Sequence, residues 1–202
     1  MKKIYDIISA YGFFLFKLLF YEAVYIFMGY RGNKFNIRND KKVTDNIPCS
    51  YLFLSQIVNY FKKNKINSFV DLGCGNGRAI DFFNKKLNIK CFGIELYQEN
   101  FKECENLFKN DANVTILNKN FFTFDFNQNK FDCYFMNDPL QTKEDSNKLI
   151  EMIMLSRKND SQPFYFVLSN FNKSKREYFA KFELVKSFEV GNRGYWIFIP
   201  NN

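Results

Sequence analysis

An apolar strand pattern runs directly into three closely spaced glycines in SFVDLGCGNGRAI, residues 68–80. Asp71 stands just before Gly73, Gly75 and Gly77. Glycines at this spacing allow a backbone to turn sharply and to come very close to a ligand. The stretch therefore predicts a strand, a ligand-binding turn and a helix, in that order.

Strand and helix patterns alternate along the rest of the chain. Short apolar runs typical of buried strands occur at 66–72, 89–96, 113–119, 130–138 and 163–170. Helical spacing of apolar residues occurs at 50–64, 78–88, 97–110 and 143–159, and residues 175–200 predict a short helix and a terminal antiparallel pair. Such alternation with short connections predicts an α/β fold with a parallel sheet, whose ligands bind at the C-terminal ends of the strands.

The acid beside the glycines restricts the kind of cofactor. A dinucleotide fingerprint has the spacing G-x-G-x-x-G, but Arg78 occupies the place of its third glycine. Asp71 would also lie near an anionic pyrophosphate, and at about 4 Å that repulsion costs roughly 4 kcal/mol at an effective dielectric of about 20. No GK[ST] follows, which excludes a P-loop. The site favours a cationic cofactor, and S-adenosylmethionine carries both a sulfonium and an ammonium group.

Residues 70–77 resemble motif I of the class I S-adenosylmethionine-dependent methyltransferases, (V/L)D-(L/I/V)-G-x-G-x-G, at every position. The resemblance implies a Rossmann-like, seven-stranded, mostly parallel sheet with helices on both faces, S-adenosylmethionine as cofactor, and methyl transfer as the reaction. It also implies that Glu95, 24 residues after Asp71, accepts the ribose hydroxyls. Asn120 replaces the acid that many relatives have after the third strand. The implied cofactor contacts are Asp71, Gly73, Cys74, Gly75, Asn76, Gly77, Glu95, Leu96, Asn120, Phe121 and Asn137.

The fourth strand ends in Asn137-Asp138-Pro139-Leu140, at the position that faces the transferable methyl group in the family. It resembles the N-P-P-(Y/F) and F-N-x-F signatures of amine-modifying members, but Asp138 and Leu140 depart from both. Because the chain has no histidine, a base must be a carboxylate, a lysine or a tyrosine. Asp138 and Asn137 are the candidate catalytic residues. The alternative for Asp138 is a cap on the following helix.

The methyl acceptor is the least specified part of the prediction. We expect transfer to an oxygen or nitrogen of a small molecule or saccharide. Residues 46–61 resemble the helix before motif I in protein-lysine methyltransferases of this fold, so a protein lysine is an alternative acceptor, and a catalytically silent cofactor-binding module is another alternative. A net charge of +8 favours an anionic partner, and no nucleic-acid-binding motif is present, so we expect no nucleic acid.

The N-terminal segment, residues 4–30, is the most apolar part of the chain. Its longest uncharged run, residues 7–16, is too short for a membrane-spanning helix. Three interpretations remain: a helix packed on its own domain or on a partner, a peripheral helix at a membrane surface, or a signal anchor. Residues 31–48 are polar and predict a loop. We therefore divide the chain into an N-terminal helix and linker, 1–48, and a methyltransferase domain, 49–202.

The cysteines bear on compartment and metal binding. The five cysteines form no CxxC pair, and without histidine the usual zinc sites are absent from the sequence. We expect free thiols in a reducing compartment, no metal site, and a cytoplasmic protein with possible membrane association.

Overall fold

The computed structural model of the protein describes residues 2–34, 47–191 and 193–201, with side chains in the first helix from Phe14 onward. Residues 35–46, which belong to the predicted 31–48 loop, lie outside the described residues. Five helices are present in the described part of the chain: α1 Lys2–Phe27, α2 Tyr51–Lys63, α3 Arg78–Leu87, α4 Gln98–Phe108 and α5 Lys143–Ser156. The seven strands are β1 Ser68–Leu72, β2 Lys90–Glu95, β3 Val114–Asn118, β4 Cys133–Met136, β5 Tyr165–Asn172, β6 Phe182–Val190 and β7 Arg193–Pro200.

The strands form a single sheet in the order β3-β2-β1-β4-β5-β7-β6. The first five strands are parallel, and β7 is antiparallel to both β5 and β6. The predicted fold is confirmed, including the terminal antiparallel pair and a short 3₁₀ helix, Lys173–Phe179, before it. The strand order reverses between β1 and β4, which creates a crevice at the C-terminal ends of these two strands.

The sheet is covered on both faces because neighbouring strand residues point to opposite sides. On one face, Phe69 and Phe135 belong to the same apolar cluster as residues from α2, α3 and α4. On the other face, Val70 and Tyr134 pack with residues of α5 and of the 3₁₀ segments. Both sides of β1 are therefore buried, which explains why Phe69 and Val70, on opposite faces, are both apolar.

The helix before β1 begins at a local sequence signal. The Ser50 hydroxyl accepts a hydrogen bond from the Leu52 N–H at 3.2 Å, which caps α2. Lys62 and Lys63 occupy its last turn, where cations interact favourably with the helix dipole. The inward side of α2 includes Ile57 and Phe61, both fully buried. The cap and the apolar spacing together account for the position of α2.

Helix α1 packs on the domain along one side. Phe14, Tyr21 and Tyr25 contact the cluster that also contains α2 and α3. The rings of Tyr25 and Phe82 meet edge to face with centroids 4.9 Å apart. The residues that the structure describes include no helix with the length and apolar character needed to cross a bilayer. The first interpretation of the N-terminal segment, packing on its own domain, thus describes this side of the helix.

Candidate functional site

The glycine turn connects β1 to α3 through a backbone path that side chains disfavour. Gly73, Gly75 and Gly77 have φ values of +85°, +54° and +83°, all in the left-handed region. The Gly73 N–H donates to the Ile94 carbonyl at 2.9 Å, which ties the turn to the end of β2. A Cβ on Gly77 would lie 2.7 Å from the Cys104 sulfur. The turn therefore holds its shape only with glycine at these positions.

Asp71 is the buried acid at the end of β1. Asp71 is only 3% exposed, and its Oδ1 has no hydrogen-bond partner among the described residues. Burial raises the pKa of this carboxyl well above its ordinary value, and the nearby charge of Glu95 raises it further. Burial of an unpaired acceptor costs free energy. A ligand that donates a hydrogen bond or carries positive charge would lower that cost.

Asn137 supplies a second unpaired acceptor in the same place. Asp71 pairs with Phe135 across β1 and β4, so Asn137 lies just beyond the neighbouring strand end. Its Nδ2 donates to the Ile47 carbonyl at 2.6 Å, but its buried Oδ1 has no partner within the described residues. Asp71, Asn137 and Gly73 line one cavity of about 30 Å³. That volume accepts a water molecule or an ammonium group.

Glu95 closes β2 and lies against the glycine turn. Its Oε2 accepts the Gly75 N–H and its Oε1 accepts the Tyr97 N–H, both at 2.8 Å. These two bonds hold the carboxylate in one direction at the edge of the turn. Leu96, which follows, is exposed. The Asn118 amide donates to the Glu95 carbonyl at 2.9 Å and holds the end of β3 beside it.

Asn120 lies on the surface after β3, where it caps the short 3₁₀ helix Phe121–Thr123. Its Oδ1 accepts the Phe122 N–H at 2.9 Å, so one acceptor position of the amide is in use. The rings of Phe121 and Phe122 are partly buried, with centroids 4.9 Å apart. The expected adenine contact through the Asn120 oxygen must therefore use its remaining lone pair.

Asp138 does not cap the following helix. The cap of α5 is Thr142, whose hydroxyl accepts the Asp145 N–H at 3.1 Å. The helix-cap alternative is therefore wrong. The Asp138 carboxylate instead pairs with Lys175 Nζ at 2.6 Å and Arg193 Nη1 at 3.1 Å. Its φ of +52° lies in the left-handed region, which aspartate tolerates better than most residues.

Cys74 and Asn76 fill the remaining positions of the turn. Asn76 donates through its amide to the Glu103 carboxylate. The Cys74 and Cys104 sulfurs lie 4.0 Å apart, and this contact together with burial raises the pKa of the Cys74 thiol. All five cysteines of the chain are buried and unbridged. The side chains of Cys74 and Asn76 thus stabilise the turn from its protein side.

The sequence analysis assigned no role in the site to four charged residues that lie near it: Glu22, Arg78, Lys175 and Arg193. Arg78 begins α3, and its guanidinium pairs with Glu22 of α1 at 2.7 Å and lies 4.4 Å from the centre of the Tyr51 ring. Lys175 and Arg193 reach Asp138 from the segments after β5 and β6. Only Arg78 had a sequence signal, since it stands where a dinucleotide fingerprint has glycine.

The N-terminal segment also closes one side of the site through its backbone. A Cβ on Gly32 would lie 2.4 Å from the Arg78 nitrogen, and the φ of Gly32 is +76°. Arg31 pairs with the buried Asp81 of α3 at 3.2 Å. Residues 30–34 and 47–49 therefore lie directly over the start of α3, and Gly32, Ile47 and Cys49 line the cavity of Asp71.

The chain is similar to one family of known proteins and to several solved structures. Residues 69–158 match a family described as a methyltransferase domain. The fold is similar to an RNA methyltransferase from Salinibacter ruber in complex with S-adenosyl-L-homocysteine, with a TM-score of 0.60, 13% identity, and coverage of 77% of this chain and 95% of that one. DesVI of Streptomyces venezuelae gives a TM-score of 0.58, 13% identity, and coverage of 74% and 91%.

A third solved structure agrees with these two. A SAM-dependent methyltransferase from Aquifex aeolicus gives a TM-score of 0.53, 16% identity, and coverage of 70% of this chain and 88% of that one. A search of curated proteins found no match. At these identities the solved structures establish the shared fold alone.

Proposed function

We propose that this chain, whose residues 69–158 match a methyltransferase domain, is an S-adenosylmethionine-dependent methyltransferase that methylates an oxygen or nitrogen nucleophile of a small molecule or saccharide that carries a negative charge. Residues 49–202 form the catalytic domain in this proposal, and residues 1–48 form an N-terminal helix and linker. The observation that carries the cofactor site is the pair of unpaired buried acceptors, Asp71 Oδ1 and Asn137 Oδ1, in one cavity. The ammonium group of the cofactor's methionine end is the donor that this pair fits.

The remaining cofactor contacts follow the strand ends. Gly73 to Gly77 expose backbone at the turn, so the methionine end can come close to it. Glu95 would accept the two ribose hydroxyls as a carboxylate at the end of β2, and its bond to the Gly75 N–H fixes its direction. Leu96, Asn120 and Phe121 would hold the adenine base, since they offer an apolar surface and one amide at this edge.

The chemistry requires little from the protein beyond position. S-adenosylmethionine supplies a methyl group that its sulfonium has already activated, so alignment of the nucleophile and exclusion of water provide most of the rate. A nucleophile that carries a proton must lose it, and Asp138, which directly follows Asn137 at the end of β4, is the proposed base. Lys175 and Arg193 hold this carboxylate in a fixed direction, and Asn137 orients the neighbouring cofactor or acceptor.

The charges around Asp138 support an anionic acceptor. Lys175 and Arg193 bring two positive charges to one carboxylate, so the group of three is net positive. This surplus opposes a lysine ammonium as the acceptor and favours a carboxylate or phosphate on it. Leu140 is buried and provides no aromatic face for a flat nucleobase. We therefore place small molecules and saccharides before protein lysine and nucleic acid.

Replacement of Glu95 with alanine is expected to weaken S-adenosylhomocysteine binding by roughly 10- to 150-fold. The substitution removes a charge-assisted contact to the ribose, which is worth about 1.5–3 kcal/mol. Isothermal titration calorimetry measures the change. Glu99→Ala is the matched control, because Glu99 is an exposed acid in the first turn of α4. Equal affinity of Glu95→Ala and Glu99→Ala would contradict the ribose assignment.

Replacement of Asp138 with asparagine is expected to lower turnover at least about 100-fold, the usual scale for loss of a general base. S-adenosylhomocysteine affinity should stay within about twofold of the parent, since Asp138 does not line the cofactor cavity. The acceptor is first identified by transfer of labelled methyl to separated fractions of small molecules, saccharides, protein and nucleic acid. Glu151→Gln, at an exposed acid on α5, should turn over like the parent. Equal rates for Asp138→Asn and the parent would show that no base acts at this position.

A further inference from the structure

Helix α1 has a second apolar side, opposite the one that packs on the domain. A helix turns by about 100° per residue, so positions three and four apart share a side. Phe14, Tyr21 and Tyr25 point inward to the core. The opposite side, here called the outward face, is exposed and consists of Phe16, Leu19, Phe20, Ala23, Ile26 and Phe27, followed by Met28.

The outward face is unusual for a surface helix, which normally presents polar residues to water. Phe27 is 93% exposed, Phe16 70% and Phe20 65%. Among the described residues, six of the nine exposed large apolar side chains lie between positions 16 and 28. Apolar side chains concentrated in this way mark an interaction surface rather than ordinary scattered exposure.

The charge near the outward face is positive. Lys17 lies on α1 at the edge of the outward face and is exposed. Lys85 and Lys86 belong to the inward side instead, since Lys85 pairs with Asp81 at 2.8 Å and Lys86 Nζ lies 5.2 Å from the centre of the Tyr25 ring. Glu22 of α1 lies on the inward side and pairs with Arg78. The outward face thus combines apolar rings with the exposed Lys17.

We propose that the outward face of α1 binds the surface of a lipid bilayer that contains anionic headgroups. The helix lies parallel to the bilayer, with the rings of Phe16, Phe20 and Phe27 in the interfacial region. Lys17 beside it meets the negative headgroups, which its ammonium reaches on a long apolar stem. The net charge of +8 adds a longer-range attraction to such a surface.

A second copy of the chain fits the same face less well. In a two-fold symmetric contact the same surface meets itself, so Lys17 of each copy would lie in or beside the contact. Two chains with a net charge of +8 each would also repel one another on approach. An anionic bilayer turns the same charges into an attraction, which is why it is the occupant that the charges favour.

Vesicle flotation of the full-length protein tests the proposal. The probes are vesicles of phosphatidylcholine alone and vesicles in which about a third of the lipid is phosphatidylglycerol. The parent should float with the anionic vesicles and float less with the neutral ones or at high salt. A variant with Phe16→Glu, Phe20→Glu and Phe27→Glu should lose at least about tenfold in partitioning. Leu155→Glu, at a residue that is 64% exposed on α5, is the matched control and should float like the parent.

The outcomes that overturn the proposal are distinct. Absence of flotation of the parent, equal flotation of the triple variant, or equal binding to neutral and anionic vesicles would each contradict it. If the parent sediments as a dimer without binding vesicles, and the triple variant sediments as a monomer, the outward face is a contact between copies instead. Far-ultraviolet circular dichroism confirms that the variant is folded. Its titration with S-adenosylhomocysteine should match the parent, which separates this test from the proposed methyl transfer.

Discussion

Replacement of Gly75 with valine is expected to abolish binding of S-adenosylhomocysteine, with a loss of at least about 100-fold in affinity. Gly75 has a φ of +54°, and its N–H donates to Glu95. Valine disfavours this backbone region because its branched Cβ crowds the following carbonyl. The new side chain would also occupy the surface that the cofactor must approach. Calorimetric titration measures the loss directly.

Gly29→Val separates this effect from general backbone strain. Gly29 also has a positive φ, +78°, but a Cβ there would have no atom within 4 Å. The control therefore carries similar strain without touching the turn between β1 and α3. It should bind S-adenosylhomocysteine like the parent, although its melting temperature will fall. Retained binding by Gly75→Val would show that the turn does not face the cofactor.

Replacement of Asp71 with asparagine is expected to weaken cofactor binding and stabilise the fold at neutral pH. The pKa of Asp71 is raised mainly by burial and further by the charge of Glu95, so the fold favours the protonated acid. The resulting stabilisation is fully present below the pKa of the unfolded chain and decreases as pH rises through the raised pKa. Asparagine avoids this loss, so the melting temperature should rise by about 2–4 °C for each kcal/mol gained.

The same substitution gives a pH signature for binding. An ammonium group favours the charged form of Asp71, so binding of S-adenosylhomocysteine to the parent should release a proton and tighten as pH rises towards the raised pKa. Asp71→Asn should lose this dependence and bind at least about tenfold more weakly. Asp81→Asn is the control for stability. The buried Asp81 is paired with Arg31 and Lys85, so removal of its charge should destabilise the fold, whereas Asp71→Asn should not. A destabilised Asp71→Asn with parental affinity would contradict the role of Asp71.

The predictions that succeeded rest on local patterns. The alternation of strands and helices follows from side-chain periodicity, which each segment carries by itself. The position of the glycine turn follows from Gly73, Gly75 and Gly77, because their spacing suits a turn with positive φ. The family followed from the same residues together with Asp71. The order of the strands in the sheet was not predicted, because periodicity does not say which strands are neighbours.

The features that could not be predicted are contacts between distant charges. Glu22 meets Arg78 across 56 positions of sequence, and Asp138 meets Lys175 and Arg193 across 37 and 55 positions. The chain has 29 basic and 21 acidic residues, so sequence alone leaves many pairings open. The helix-cap alternative for Asp138 was wrong for a local reason, because Thr142 is an equally suitable cap four residues later.

Calorimetric titration of the full-length parent with S-adenosylhomocysteine and, separately, with NAD tests the central claim most directly. The account predicts one binding site for S-adenosylhomocysteine, with affinity that falls in Asp71→Asn and Glu95→Ala, and no binding of NAD. A folded parent that fails to bind S-adenosylhomocysteine, or that binds NAD at a site sensitive to these two substitutions, would contradict it.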